Sequence, residues 1–260
     1  MTEPPVEEGE VSSFRALMVS TASRVGVGNI AGVATAVTLG GAGSVFWMWV
    51  IATLGGRLRL YRVDALHRSI RSRGPHHSYG GPAYYIQTAL KQNWLATLFA
   101  TVLILTYMGG FNLLASFNVA DAFTHYSWAN EWTPWIIGAI LAVLMAGSIF
   151  GGTRRLTDVT ALLVPVMAII YLGVGLVVVA LNYQNIPAMF SAIFAGAFDF
   201  KAIFGGFAGS AMMYGIKRGL YSNEAGVGSA PNAAASASVS HPAKQGLVQM
   251  LSVFIDTMVI

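Results

Sequence analysis

Two apolar segments, each long enough to cross a bilayer, are interrupted by glycines where a continuous helix would be easiest to build. One runs from Phe14 to Val37 and breaks at Gly26-Val27-Gly28-Asn29; the other runs from Ala202 to Tyr221 and breaks at Gly205-Gly206-Phe207-Ala208-Gly209. A glycine in a helix interior costs roughly 0.5–1 kcal/mol relative to alanine. In hydrocarbon, the backbone groups freed by unwinding must also find partners. Paired breaks in corresponding places are the sequence mark of a membrane protein that holds a solute and a coupling ion on unwound backbone.

The rest of the chain fits that environment. It is 55% hydrophobic and 10% charged, where soluble domains carry about 25% charged residues, and its mean hydropathy is +0.61. An all-α polytopic membrane protein follows, read as a single membrane domain over 1–260 with a cytoplasmic tail at 1–12. The 29 glycines suit closely packed membrane helices. The lack of cysteine excludes disulfides and thiolate-held metals. The first ten residues are acidic, with Glu3, Glu7, Glu8 and Glu10, so no secretory leader is visible.

Seven membrane segments are expected, at about 14–37, 43–61, 94–119, 133–150, 158–182, 202–221 and 246–260. With the N-terminus in the cytoplasm, 13 of the 15 Lys and Arg residues fall on the inside: Arg15, Arg57, Arg59, Arg62, Arg68, Arg71, Arg73, Lys91, Arg154, Arg155, Lys217, Arg218 and Lys244. This asymmetry sets the orientation in a cell membrane. It also accounts for the basic balance without nucleic acid. Tyr126, Trp128, Trp132 and Trp135 form an outer aromatic belt. Residues 187–200 read as an interfacial helix, and 229–240 as part of an inner loop helix.

The candidate chemistry sits at the breaks. Amides freed near Gly26 and Gly28 suit a carboxylate, and Asn29 adds a carbonyl and an amide near mid-membrane. A glycine-rich packing face, with Asn29 bonded to a neighbouring helix, is the competing reading. At the second break, carbonyls of Gly205, Gly206, Phe207 and Gly209 suit an ammonium group, with Phe207 as a lid and Ser210 offering a hydroxyl. Thr21, Asn29, Asp256 and Thr257 form the candidate cation-binding set, since an acidic residue such as Asp256 inside an apolar segment points to function. Arg24, the one basic residue within a span, reads as a residue reaching the inner interface or as a gate. Glu224 is expected to pair with Lys217 or Arg218, and Asn112 and Asn118 to bond across helices. The five histidines lie in loops without metal spacing, and no nucleophile elbow is present, so catalysis finds no support. No cofactor is implied beyond a coupling sodium ion. Too few polar positions line the spans for a channel.

Several blocks together resemble the alanine or glycine:cation symporter family. They are Gly28 to Ala34; Gly40-Gly41 with Phe46-Trp47-Met48-Trp49; Gly80-Gly81-Pro82-Ala83-Tyr84-Tyr85; Val164-Pro165; Lys217 to Pro231; His241-Pro242; and Phe254-Ile255-Asp256-Thr257. The resemblance implies a leucine-transporter-type inverted-repeat fold, incomplete here, and import of alanine or glycine with sodium by alternating access. It implies that Asn29 contacts substrate. Against members with about eleven helices, one helix before Val11 and several after Ile260 are expected to be absent, so a truncated remnant that no longer transports stays open. Ala115 and Phe117 stand where many members carry Gln and Asn, and 56–77 fits the family poorly.

Overall fold

The computed structural model describes residues 17–18, 21, 26–69, 72–73, 78–199, 210–222, 224, 229–235 and 242–259. Helix α1, Val27–Gly40, starts directly after Gly26, whose backbone is extended (φ −142°, ψ 169°). It stops where Gly41 takes φ +78°, a conformation that side chains disfavour, and Gly41 N–H donates to the Val37 carbonyl at 2.9 Å. Helix α2, Gly43–Ser69, follows at once and runs eight residues past the expected segment end at 61. The arginines from Arg57 onward mark where hydrocarbon ends, but nothing in that stretch breaks a helix. A two-residue antiparallel ladder, β1 Ser72–Arg73 with β2 Ser78–Tyr79, pairs Ser72 with Tyr79 and Arg73 with Ser78. Helix α3, Pro82–Ala89, has proline in its first turn, where a missing N–H costs nothing.

Helices α4, Asn93–Leu105, and α5, Asn112–Thr124, form one rod joined by a π-helical turn over Thr106–Phe111. Helices α6, Thr133–Ile149, α7, Gly152–Leu181, and α8, Ile186–Ala197, come next. Then follow α9, Ala211–Ser222, the short α10, Ala230–Ala235, and α11, Pro242–Phe254, which continues into a second π-helical turn at Ile255–Val259. A helix expected at 187–200 is found as α8, and the described part of the one expected at 229–240 is α10.

Among the described residues, two helices are long and apolar enough to cross a membrane: Asn93–Thr124, mean hydropathy 1.8, and Asp158–Leu181, mean hydropathy 2.7. At 1.5 Å per residue the shorter of the two reaches about 36 Å, more than the roughly 30 Å hydrocarbon core. Three more, Asn29–Gly40, Gly43–Gly56 and Thr133–Ile149, are apolar but shorter. Large apolar side chains face outward along this layer, among them Leu113, Val143, Ile169 and Leu181. That is how a lipid-facing surface looks, and it far exceeds what a soluble monomer exposes. Trp128, Trp132 and Trp135 are likewise exposed, as belt residues at headgroup level must be.

Helix α2 is the hub, with α1, α8, α9 and α11 packed against it. Close approach is built from small residues. A methyl group at Gly215 of α9 would overlap the Ser44 carbonyl oxygen, and one at Gly43 would overlap the Gly196–Ala197 backbone. On the other side of α2, Phe46 packs against Phe194 and Phe198, and Trp47 Nε1–H donates to the Ala197 carbonyl at 3.0 Å. Because its neighbour is main chain, Gly215→Ala has no cheap relaxation. It is expected to destabilise by about 1–3 kcal/mol, seen as a lower melting temperature of detergent-solubilised protein. An unchanged melting temperature would mean that α9 and α2 have room to part.

Candidate functional site

Three elements converge where α1 begins: the first turn of α1, the α11 π-turn and the end of α9. Helix α1 takes its first backbone bonds from Asn29 N–H and Ile30 N–H to the Gly26 carbonyl, at 2.9 and 3.4 Å. The amides of Val27 and Gly28 thus precede the first intrahelical bond, as the first N–H groups of any helix do. The break expected at Gly26 to Asn29 is therefore confined, among the described residues, to Gly26, because Val27, Gly28 and Asn29 are already helical.

Asn29 is buried, 7% exposed, and bridges the other two elements. Its Nδ2 donates to Asp256 Oδ1 at 2.8 Å, and its Oδ1 accepts from an Arg218 guanidinium N–H at 2.7 Å. Asp256, 4% exposed, also accepts from Ser222 Oγ and, at 3.3 Å, from Thr257 Oγ1. A buried carboxylate is tolerated only when donors surround it, and α1, α9 and the π-turn each supply at least one. The π-turn explains why neighbouring Asp256 and Thr257 both face inward: five residues per hydrogen-bonded loop widen the helix locally.

Beside this cluster an aromatic stack leads to the α4–α5 junction. The Arg218 guanidinium lies over the Tyr221 ring at 4.9 Å, Tyr221 stacks on Phe111 at 5.8 Å, and Phe111 packs against Tyr107 at 4.9 Å. Tyr107 OH donates to Glu224 Oε1 at 3.4 Å, and Ser229 Oγ to Glu224 Oε2 at 2.9 Å. Both rings on the α4–α5 side belong to the π-turn at Thr106–Phe111, so the two π-turns among the described residues flank one polar centre.

Of the expected cation set, Asn29, Asp256 and Thr257 come together. Thr21 is buried, and its hydroxyl finds no hydrogen-bond partner among the described residues. Gly26 and Gly28 stand at the start of α1. Ser210 is buried, and its Oγ accepts from Met213 N–H at 3.2 Å, so this hydroxyl caps α9. Gly205, Gly206, Phe207 and Gly209, and Arg24, lie outside the described residues. Glu224, expected to pair with Lys217 or Arg218, accepts from Tyr107 and Ser229. One expectation is corrected. The amides of Asn112 and Asn118 do not cross to another helix; each donates one turn back, to the Met108 and Leu114 carbonyls, because both sit on an open face of the α5 rod.

Sequence reasoning missed Arg218, Ser222 and Tyr107. It also missed Gln245, Gln249 and Ser252, which with the expected Asp256 form a stripe on one face of α11. The first three of these are fully buried against α2. Their spacing of four, three and four is a helical face, and that period in an otherwise apolar segment was the readable signal. Among the described residues, no group of three His, Cys, Asp or Glu side chains could hold a metal ion.

The model of the sodium:alanine symporter family matches residues 1–260. The chain is 43% identical over 258 residues to the amino-acid carrier protein AlsT of Bacillus subtilis, covering 99% of this chain and 55% of that one. It is 40% identical over 262 residues to the sodium/alanine symporter AgcS of Methanococcus maripaludis, covering 97% and 56%. It is 40% identical over 253 residues to the probable sodium/glutamine symporter GlnT of Bacillus subtilis, covering 97% and 52%. The chain spans about half the length of these curated relatives.

Proposed function

We propose, from the premise that this chain belongs to the sodium:alanine symporter family, that it serves sodium-coupled symport of a small neutral amino acid into the cell. The observation that carries this reading is the buried Asn29–Asp256 centre at the start of α1. It places a carboxylate, an amide and two hydroxyls at a helix origin, the chemistry that a monovalent cation and a zwitterion both need.

In this reading the sodium ion is a transported substrate. Asp256 supplies its charge, and Asn29, Thr257 and Ser222 supply neutral oxygens. The amino-acid carboxylate meets the first-turn amides of Gly26 to Gly28, where the α1 dipole also favours negative charge. Its ammonium meets the carbonyls of Gly205, Gly206, Phe207 and Gly209, with Phe207 closing a pocket that admits alanine or glycine. One methylene changes affinity by only about 1–3 kcal/mol, so the preference is graded. A glutamine symporter among the relatives makes glutamine the third solute to compare. The full reading is seven spans with the N-terminus in the cytoplasm, an inverted-repeat arrangement and alternating access.

Uptake of labelled alanine into proteoliposomes tests it, with glycine and glutamine as competitors. The expected result is saturable uptake that a sodium gradient accelerates and a potassium or choline gradient does not. Saturable uptake driven equally by a proton gradient alone would remove sodium from the reading. Non-saturating, gradient-independent flux would remove symport altogether.

A further inference from the structure

Arg218 counts, by its sequence position, among the positive residues at the cytoplasmic end of a span, yet its guanidinium turns back onto α1. It lies against Gly32, where even a methyl group would overlap it, and it holds Asn29 Oδ1 at 2.7 Å. This contact fixes more than one bond. A guanidinium has only donors, so Asn29 must turn its oxygen toward Arg218, and the NH2 end is thereby turned to Asp256 Oδ1 at 2.8 Å. In that orientation Asn29 offers Asp256 a donor, and a sodium ion beside Asp256 would meet an N–H group where it needs oxygen.

We propose that Arg218 is a tethered cation that competes with sodium for the Asn29–Asp256 centre and sets the orientation of the Asn29 amide. When Arg218 withdraws, the amide turns over and its oxygen joins the Asp256 carboxylate and the Thr257 and Ser222 hydroxyls as an oxygen set for one monovalent ion. Arg218 and sodium exclude each other, because like charges repel and because each demands the same Asn29 oxygen. The structure provides space for the exchange. A cleft of about 270 Å³ lined by Gly32, Thr35, Ala36, Tyr214, Lys217 and Tyr221 adjoins the guanidinium, and Tyr221 offers it a ring face throughout. Exchange would also sever the Arg218–Asn29 bond between α9 and the start of α1, so occupancy by sodium loosens that contact. This proposal rests on the sodium reading given above and names how that site is regulated.

The test is binding of ²²Na⁺ to the purified full chain, with choline holding ionic strength constant. Arg218→Gln removes the competitor, and Gly32→Ala displaces it with one methyl that touches only the far end of a flexible side chain. Both are expected to bind sodium about tenfold more tightly than wild type, and Arg218→Lys, which keeps charge and donor, to stay within about threefold. Sodium affinity unchanged or weakened in folded Arg218→Gln and Gly32→Ala overturns the proposal. If Arg218→Gln fails to fold, Gly32→Ala decides alone. Asp256→Asn separates the two levels. Loss of binding there, with no gain in the Arg218 and Gly32 variants, sinks only the tethered cation. Binding retained in Asp256→Asn sinks the sodium site itself and the competition with it.

Discussion

Asp256→Asn is expected to weaken sodium binding, and with it sodium-driven uptake, by at least about a hundredfold while the protein still inserts and folds. The magnitude follows from charge. Two unit charges about 4 Å apart attract with roughly 4 kcal/mol at an effective dielectric of about 20, which is close to three decades in affinity, and the remaining amide dipole returns part of that. Folding is expected to survive because asparagine keeps the volume and its one oxygen can still accept from Ser222 Oγ and Thr257 Oγ1, at the loss of the bond from Asn29 Nδ2. Replacing a buried charge by a neutral group of the same shape also removes a desolvation penalty. The variant therefore separates a cation site from a structural ion cluster. Wild-type sodium dependence in Asp256→Asn proteoliposomes would make the carboxylate structural.

The legible parts of this site were those whose chemistry is local. Gly26 was readable because a glycine ahead of Val27–Gly40 is the cheapest place to stop a helix, and the structure starts α1 there. Asp256 was readable because an acid in an apolar segment demands a reason. Arg218 was not, because its place near the end of a segment suggests a side chain reaching outward to the interface. A six-atom side chain reaches in either direction, and only the notch at Gly32 and the oxygen of Asn29 decide which. Ser222 and Tyr107 escaped for the same reason: their partners are set by how α9 and the α4–α5 rod pack, and no spacing encodes that.

The helices show a similar division. Apolar runs located α6 and α7: the segments expected at 133–150 and 158–182 meet helices at 133–149 and 152–181. The end of α2 at Ser69 was misplaced because hydropathy reports where lipid ends, while helix continuation depends on the lack of Gly and Pro between Arg57 and Ser69. The π-turn at Thr106–Phe111 carries a signal in Gly109-Gly110, two residues with poor helix propensity inside a span. Both irregular turns, here and at Ile255–Val259, sit beside the polar centre, consistent with the tendency of π-turns to mark functional positions.

Asn29→Ala is the second large effect expected. Asn29 touches both α9 and the α11 turn from α1, so its loss leaves Asp256 short of a donor and Arg218 short of an acceptor. Hydrogen bonds to charged groups contribute about 1.5–3 kcal/mol each. Losing the amide should lower apparent affinity for sodium and for the amino acid at least tenfold, about 1.4 kcal/mol, in concentration-dependent uptake assays. Insertion stays normal, since alanine is the better helix former and less polar. The loss has two sources. A ligand oxygen is gone, and Arg218, released from Asn29, is free to close on Asp256 directly. If Arg218 is the competitor inferred above, Asn29→Ala with Arg218→Gln regains part of the lost sodium affinity, a coupling that a double-mutant cycle reads as non-additivity. Strict additivity would mean that the amide and the guanidinium act on the site independently.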